Sequence, residues 1–158
     1  MADKLLRILL SFMLMFMSFT LAKAQSAKDK TKIEIEGVLK EWNNAAKKAN
    51  PDEFMSLYDS GADILLVGSD SGEIYKGRDQ IKNWLSGLFK NNSFEWEMNN
   101  VYIDHYKNTA WVFVDGAMIV TNHEGTTFKT PYRFTGIMLK VHKEWKWRLF
   151  NGSIPQGE

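Results

Sequence analysis

Cysteine is absent from all 158 residues, which excludes a disulfide framework and any thiolate metal site. Histidine is scarce, with only His105, His123 and His142. His123-Glu124 has no second histidine one helical turn away, and His105 and His142 fall near strand ends, so no metal site is expected. An excess of either charge is also missing, with 20 Lys and Arg against 19 Asp and Glu. No basic cluster offers a face for nucleic acid, so no nucleic-acid partner is expected.

Long apolar runs are confined to the start of the chain. Lys4 and Arg7 precede an uncharged stretch from Ile8 to Ala22, and Ala22-Lys23-Ala24 has the small-x-small form that signal peptidase cuts. Residues 1–24 therefore read as a signal peptide cleaved before Gln25. The rival reading is a retained anchor, but the run is short for a span of about 20 residues. Removing 1–24 takes away Lys4, Arg7, Lys23 and Asp3 and leaves the charge near neutral. The expectation is an exported protein, periplasmic or secreted, with no stable membrane insertion once the signal is gone. Residues 25–32 read as a flexible polar leader and 33–156 as one domain with a core of its own.

Aromatic side chains are what the chain has in plenty. Six tryptophans and many Phe and Tyr imply a deep core with a pocket or an apolar interface. Ile35, Val38, Leu39, Trp42, Ala45, Ala46 and Ala49 recur at three- and four-residue steps and predict a helix over 32–49. Asn50-Pro51-Asp52-Glu53 predicts a new start, with Asn50 as N-cap, Pro51 in the first turn and Glu53 reaching back. A short strand at 63–67, a pairing segment at 73–76 and a helix over 78–89 follow. From there the pattern is β, with strands near 94–104, 109–121, 126–142 and 145–153 joined by tight turns. Helices first and an antiparallel meander afterwards is an α+β order.

Two of these strands alternate apolar with apolar. Ala110, Val112, Val114, Met118 and Val120 share one side, while Trp111, Phe113, Ala117 and Ile119 share the other. A sheet wet on one face would alternate apolar with polar. The helices can cover one face, and a second copy of the chain is the economical cover for the other, so a homodimer is expected.

Gly68-Ser69-Asp70-Ser71-Gly72 has the outline of a strand-to-helix nucleophile elbow, but its middle residue is Asp70 and neither serine stands in the required place. The Gly-Lys-Ser/Thr ending of a phosphate loop is missing too. The stretch reads as a turn.

That corner, running on through Glu73-Ile74-Tyr75-Lys76-Gly77-Arg78-Asp79-Gln80-Ile81, resembles the strand-turn-Gly-helix corner of SnoaL-like domains in the nuclear transport factor 2 and ketosteroid isomerase superfamily. The segment from Trp42 to Tyr58 is similar to the family's first two helices. Arg133-Phe134-Thr135, Trp145-Lys146-Trp147 and Asn151-Gly152-Ser153-Ile154-Pro155 are similar to its closing strands. The resemblance implies a cone: a curved antiparallel sheet wrapped around three N-terminal helices, with a pocket between them and a dimer through the outer sheet face. It also implies where catalytic groups would stand. Trp42 falls where isomerases carry an oxyanion-hole tyrosine, Leu66 where they carry the carboxylate base, and Asn151 where the closing strand often has a histidine. No catalytic residue and no cofactor are therefore expected.

Unbroken alternation in the last strand puts Trp147, Leu149, Asn151 and Ser153 on the pocket side, with Arg133 and Thr135 on the same wall. With Trp42, Tyr58 and Leu66 these form the expected pocket lining: Trp42, Tyr58, Leu66, Arg133, Thr135, Trp147, Asn151 and Ser153. Arg133 would either bind an acidic group of a ligand or pair with Asp59 or Asp63. The expected function is non-catalytic binding of a small hydrophobic or amphipathic molecule, or service as a dimerising module. The alternative is a SnoaL- or isomerase-like enzyme acting on a carbonyl or polycyclic substrate.

Overall fold

The computed structural model describes residues 30–61 and 63–156. The expected signal peptide, 1–24, lies outside them, as does most of the expected leader. Contacts divide the chain into 1–33 and 34–158, and the fold below is that of the second unit, apart from the first four residues of its opening helix.

Helix α1 covers 30–47, so residues 30–32 are helical where a leader was expected. It stops two residues before the expected end because Ala49 takes a left-handed φ of 51°, which lets the Asn50 N–H return to the Ala45 carbonyl at 3.0 Å. Helix α2 is Pro51–Ser56. Its start is the capping arrangement the sequence predicts: Asn50 Oδ1 accepts from the Glu53 N–H at 3.0 Å, and Asn50 Nδ2 donates back to the Glu53 carboxylate. Helix α3 is Arg78–Phe89, entered through Gly77 at a φ of 79°, a turn that a side chain would strain. Arg78 closes the end of α2, donating to the carbonyls of Met55, Tyr58 and Asp59.

The strands are β1 (Leu65–Val67), β2 (Ile74–Lys76), β3 (Asn92–Tyr106), β4 (Thr109–Asn122), β5 (Thr127–Val141) and β6 (Glu144–Ser153). They form one curved, unclosed sheet in the order β2-β1-β6-β5-β4-β3. The four long strands are the expected meander, and only β1 against β6 is parallel. The architecture is α+β, helices on one face of a cone-forming sheet.

Two bulges decide which side chains face the helices. Between β3 and β4, Met98 pairs with Gly116 and Asn100 with Asp115, so Asn99 is an extra residue. Between β5 and β6, Ile137 pairs with Leu149 and Met138 with Trp147, so Arg148 is extra. One inserted residue reverses the facing of everything beyond it. Trp145 and Trp147 point inward ahead of Arg148, and Phe150 and Gly152 do so after it.

The core gathers around Trp42. Its ring centre lies 4.3 Å from Trp96, 5.2 Å from Phe54, 5.3 Å from Phe150 and 5.5 Å from both Phe134 and Trp147. Rings this close and tilted gain contact energy beyond the area they hide. Next to Trp42, Asn43 clamps α1 to β3: its Oδ1 accepts from the Trp96 N–H at 2.8 Å, and its Nδ2 donates to the Trp96 carbonyl at 3.0 Å.

Candidate functional site

A cavity of about 200 Å³ opens between α3 and the concave face of the sheet. Helix α3 supplies Trp84, Leu85, Leu88 and Phe89 as one wall, because these positions recur on the helix side turned to the sheet. Phe94, Trp96, Met118 and Tyr132 come from consecutive strands β3, β4 and β5 as the other wall, and Trp42, Phe54, Leu66 and Phe150 close the floor. Phe150 reaches the cavity only because the Arg148 bulge has turned it inward.

The mouth is the corner between β1 and β2. Gly68, Ser69, Asp70 and Glu73 line it, and the corner is closed tightly by Gly68 N–H to the Glu73 carbonyl at 2.8 Å and Ile74 N–H to the Gly72 carbonyl at 2.8 Å. Glu73 folds back over the turn, its Oε2 accepting from the Asp70 N–H at 3.1 Å. No Lys, Arg or His stands among the lining residues.

Tyr132 carries the one hydroxyl from the sheet that reaches the cavity. Burial pushes its phenol up to about 12; the Ser69 hydroxyl works against the shift, and the Glu73 and Asp70 carboxylates add to it. The phenol is thus a neutral donor at physiological pH. Gly152 makes room for it, since a Cβ there would overlap the Tyr132 hydroxyl. Deeper in, the Nε1 of Trp42, Trp96 and Trp147 and the Tyr58 hydroxyl are buried without hydrogen-bond geometry to any partner. Burial raises the Tyr58 phenol well above its ordinary value, opposed only by the nearby Trp42 indole. Such groups cost stability where they stay unpaired.

The lining divides by depth. The walls offer aromatic faces, the mouth offers carboxylate and hydroxyl oxygens, and the interior holds no carboxylate. Among the described residues no three His, Cys, Asp or Glu side chains converge as a metal site requires.

The structure separates the sequence-derived lining residues into three places. Trp42 and Leu66 line the cavity. Tyr58 and Trp147 are buried beside it in the core, stacked on one another at 6.4 Å. Arg133, Thr135, Asn151 and Ser153 stand on the opposite, outer face of the sheet, where Arg133 pairs with Ser153 and Thr135 with Asn151 across the strands. This corrects the expected pocket wall: alternation was carried unbroken through β6, and the extra residue at Arg148 reverses it. Arg133 Nε lies 3.9 Å from Asp115 Oδ1, so neither anion binding in the cavity nor pairing with Asp59 or Asp63 is its place. Arg148 takes that role, 2.6 Å from Asp59 and 3.4 Å from Asp63.

Sequence reasoning missed Trp96, Met118, Tyr132 and Phe150. Tyr132 shares its alternation with Phe134 and Met138, all three inward, and that pattern was the available signal. It also took the corner for a bend alone, whereas Ser69, Asp70 and Glu73 form the cavity mouth.

The profile of the SnoaL-like domain matches residues 35–156. No curated protein matches the chain. Among solved structures, a candidate dehydratase of the NTF2-like family from Streptomyces avermitilis is similar at a TM-score of 0.72 and 14% identity, over 82% of this chain and 99% of that one. An NTF2-like superfamily protein from Salmonella enterica serovar Typhimurium gives 0.72 and 18%, over 82% and 94%. A ketosteroid isomerase-like protein from Erwinia carotovora atroseptica gives 0.65 and 17%, over 79% and 96%. At these identities the likeness is one of fold.

Proposed function

The chain belongs to the SnoaL-like domain family, and on that premise we propose that it binds a small, ring-bearing, largely apolar molecule in the aromatic cavity without transforming it. The observation that carries this reading is the contrast between wall and mouth: aromatic and aliphatic side chains inside, oxygens only at the opening and at Tyr132. A cavity of about 150 Å³ accepts benzene, and drug-sized ligands occupy roughly 300–1,000 Å³. The 200 Å³ here suits one ring or two fused rings, and a four-ring body is too large. Leu66, where the family resemblance places an isomerase base, cannot take a proton.

The protein acts outside the cytoplasm, in the periplasm or secreted, on the pattern of residues 1–24. It works as a homodimer, with Trp111 and Ile137 of the outer sheet face, 48% and 38% exposed, under the second copy.

A second reading has its own support. Tyr132, a neutral phenol, stands near the Asp70 and Glu73 carboxylates, and a donor beside a base is what isomerase- or dehydratase-type chemistry on a carbonyl compound uses.

Titration with naphthylmethanol, followed by the emission of the wall tryptophans, tests binding. Saturable quenching in the wild type and its loss in Leu88→Trp, which fills the cavity from α3, is the expected result. Equal quenching in both would place the ligand elsewhere.

A further inference from the structure

The mouth of the cavity carries two carboxylates that no cation pairs among the described residues. Among the described residues, neither Asp70 nor Glu73 is in an ion pair, and the cavity lining contains no Lys, Arg or His. The turn holds Glu73 over the mouth, its Oε2 accepting from the Asp70 backbone N–H at 3.1 Å, and both residues line the opening. The chain elsewhere pairs its acids readily: Glu95 has Lys47 at 2.8 Å, Glu97 has Lys129 and Glu34 has Lys140.

The same cavity is lined by indole faces. Trp84 and Trp96 line the cavity together with Asp70 and Glu73. Trp84 packs against Tyr75, stacked at 4.7 Å and 23°, and Trp96 is fixed by its tilted contact with Trp42 at 4.3 Å and the Asn43 clamp on its backbone. Rigid aromatic faces next to carboxylates form an environment that attracts a positive charge twice, by Coulomb attraction and by the ring quadrupoles. The same arrangement repels a carboxylate or phosphate.

We infer that the ligand is an organic cation: a one- or two-ring body seated among Trp42, Trp96, Met118 and Phe150, ending in an amine or quaternary ammonium that emerges between Asp70, Glu73 and Trp84. This rests on the binding function proposed above and names the chemical class its ligand belongs to. It replaces the acidic ligand expected from Arg133, which faces away from the cavity. The hydroxyls of Ser69 and Tyr132 give an N–H of the ligand further acceptors at the mouth. The charge is partly solvated there, so its effect is a selectivity of modest size that salt weakens.

Three matched probes share one ring system and differ only in the end group: naphthylmethylamine, naphthylmethanol and naphthoate. Each is titrated into the wild-type protein at neutral pH, at low and at high salt, and into Asp70→Asn and Asp70→Asn with Glu73→Gln, with melting temperatures recorded alongside. Gln at 73 keeps the acceptor for the Asp70 N–H, and Asp70→Asn alone changes a side chain with no ion pair among the described residues, so at least one variant reports on a folded protein. The expected order is amine tightest, about 2- to 5-fold over the alcohol, with naphthoate weakest. The amine's advantage over the alcohol shrinks at high salt and disappears in the variants. Equal binding of amine and alcohol, or an advantage that survives loss of the carboxylates, overturns this inference and leaves apolar binding standing. If none of the three probes binds, both the inference and the binding function fall.

Discussion

Arg148 Nη1 lies 2.6 Å from Asp59 Oδ2, and Arg148 is also the extra residue that turns Phe150 toward the helices. One inserted position thus anchors the end of α2 to the sheet and completes the cavity floor. Asp59, 8% exposed, is the buried charged residue of the described core. Removing its partner leaves a largely buried carboxylate without the ion pair that offsets its burial. Arg148→Met is expected to cost roughly 3 kcal/mol, read as a lower urea midpoint at unchanged slope. Asp63→Asn, at the exposed end of the same guanidinium, should cost less than about 1 kcal/mol. Equal losses would mean the pairing at Asp59 has no special weight.

The other bulge makes its own demand. A Cβ on Gly116 would overlap the Glu97 carbonyl oxygen, which the extra residue Asn99 brings across the strand pair. The obstacle is backbone and cannot rotate away. Gly116→Ala should destabilise by about 1–3 kcal/mol. Gly87→Ala, where a new Cβ meets nothing within 4 Å inside α3, should be neutral or stabilising. Parallel chemical denaturation of the two variants gives the comparison.

Alkaline pH should expose the buried phenols. Tyr132 stays neutral in the fold up to about 12, against 10.0 for an ordinary tyrosine. Its folded value is raised, so its contribution is complete below pH 10 and is lost as the pH climbs from 10 to 12. Tyr58 shifts in the same direction. The melting temperature should therefore fall over that window, and Tyr132→Phe should flatten the fall while keeping the part due to Tyr58. An identical slope in wild type and variant would contradict the burial of Tyr132.

The outer face of the sheet should be where copies meet. Trp111 pairs with Ile137, and Ile137 with Leu149, in one row across three strands; the Tyr102 and Phe113 rings meet tilted at 6.0 Å in the next row. Light scattering on the protein from Gln25 onward is expected to give twice the monomer mass, and Trp111→Lys with Ile137→Lys to give the monomer. A monomeric wild type removes this interface.

Much of the fold is legible in the sequence because local signals and tertiary packing agree. The Asn50-Pro51 start, the α3 periodicity and the four long strands all rest on residues whose neighbours in sequence determine them. The site is less legible because it depends on strand parity, which a single inserted residue inverts. Arg148 sits in Trp145-Lys146-Trp147-Arg148-Leu149-Phe150, where an apolar residue occupies either parity after 147. Nothing local says that the strand skips a step. The bulge is fixed by long-range partners, Asp59 and Asp63, 89 and 85 residues away. Trp42 and Leu66 escape this difficulty because they lie on α1 and β1, whose facing no bulge disturbs.

The central claim is that a ligand enters between α3 and the inner sheet face. Nuclear Overhauser contacts from bound naphthylmethylamine test it most directly, with methyl-labelled methionine and leucine in the protein. Contacts to the Met118 methyl group and to Leu88 are expected. Contacts confined to Ile137 and Trp111, on the other side of the sheet, would contradict it.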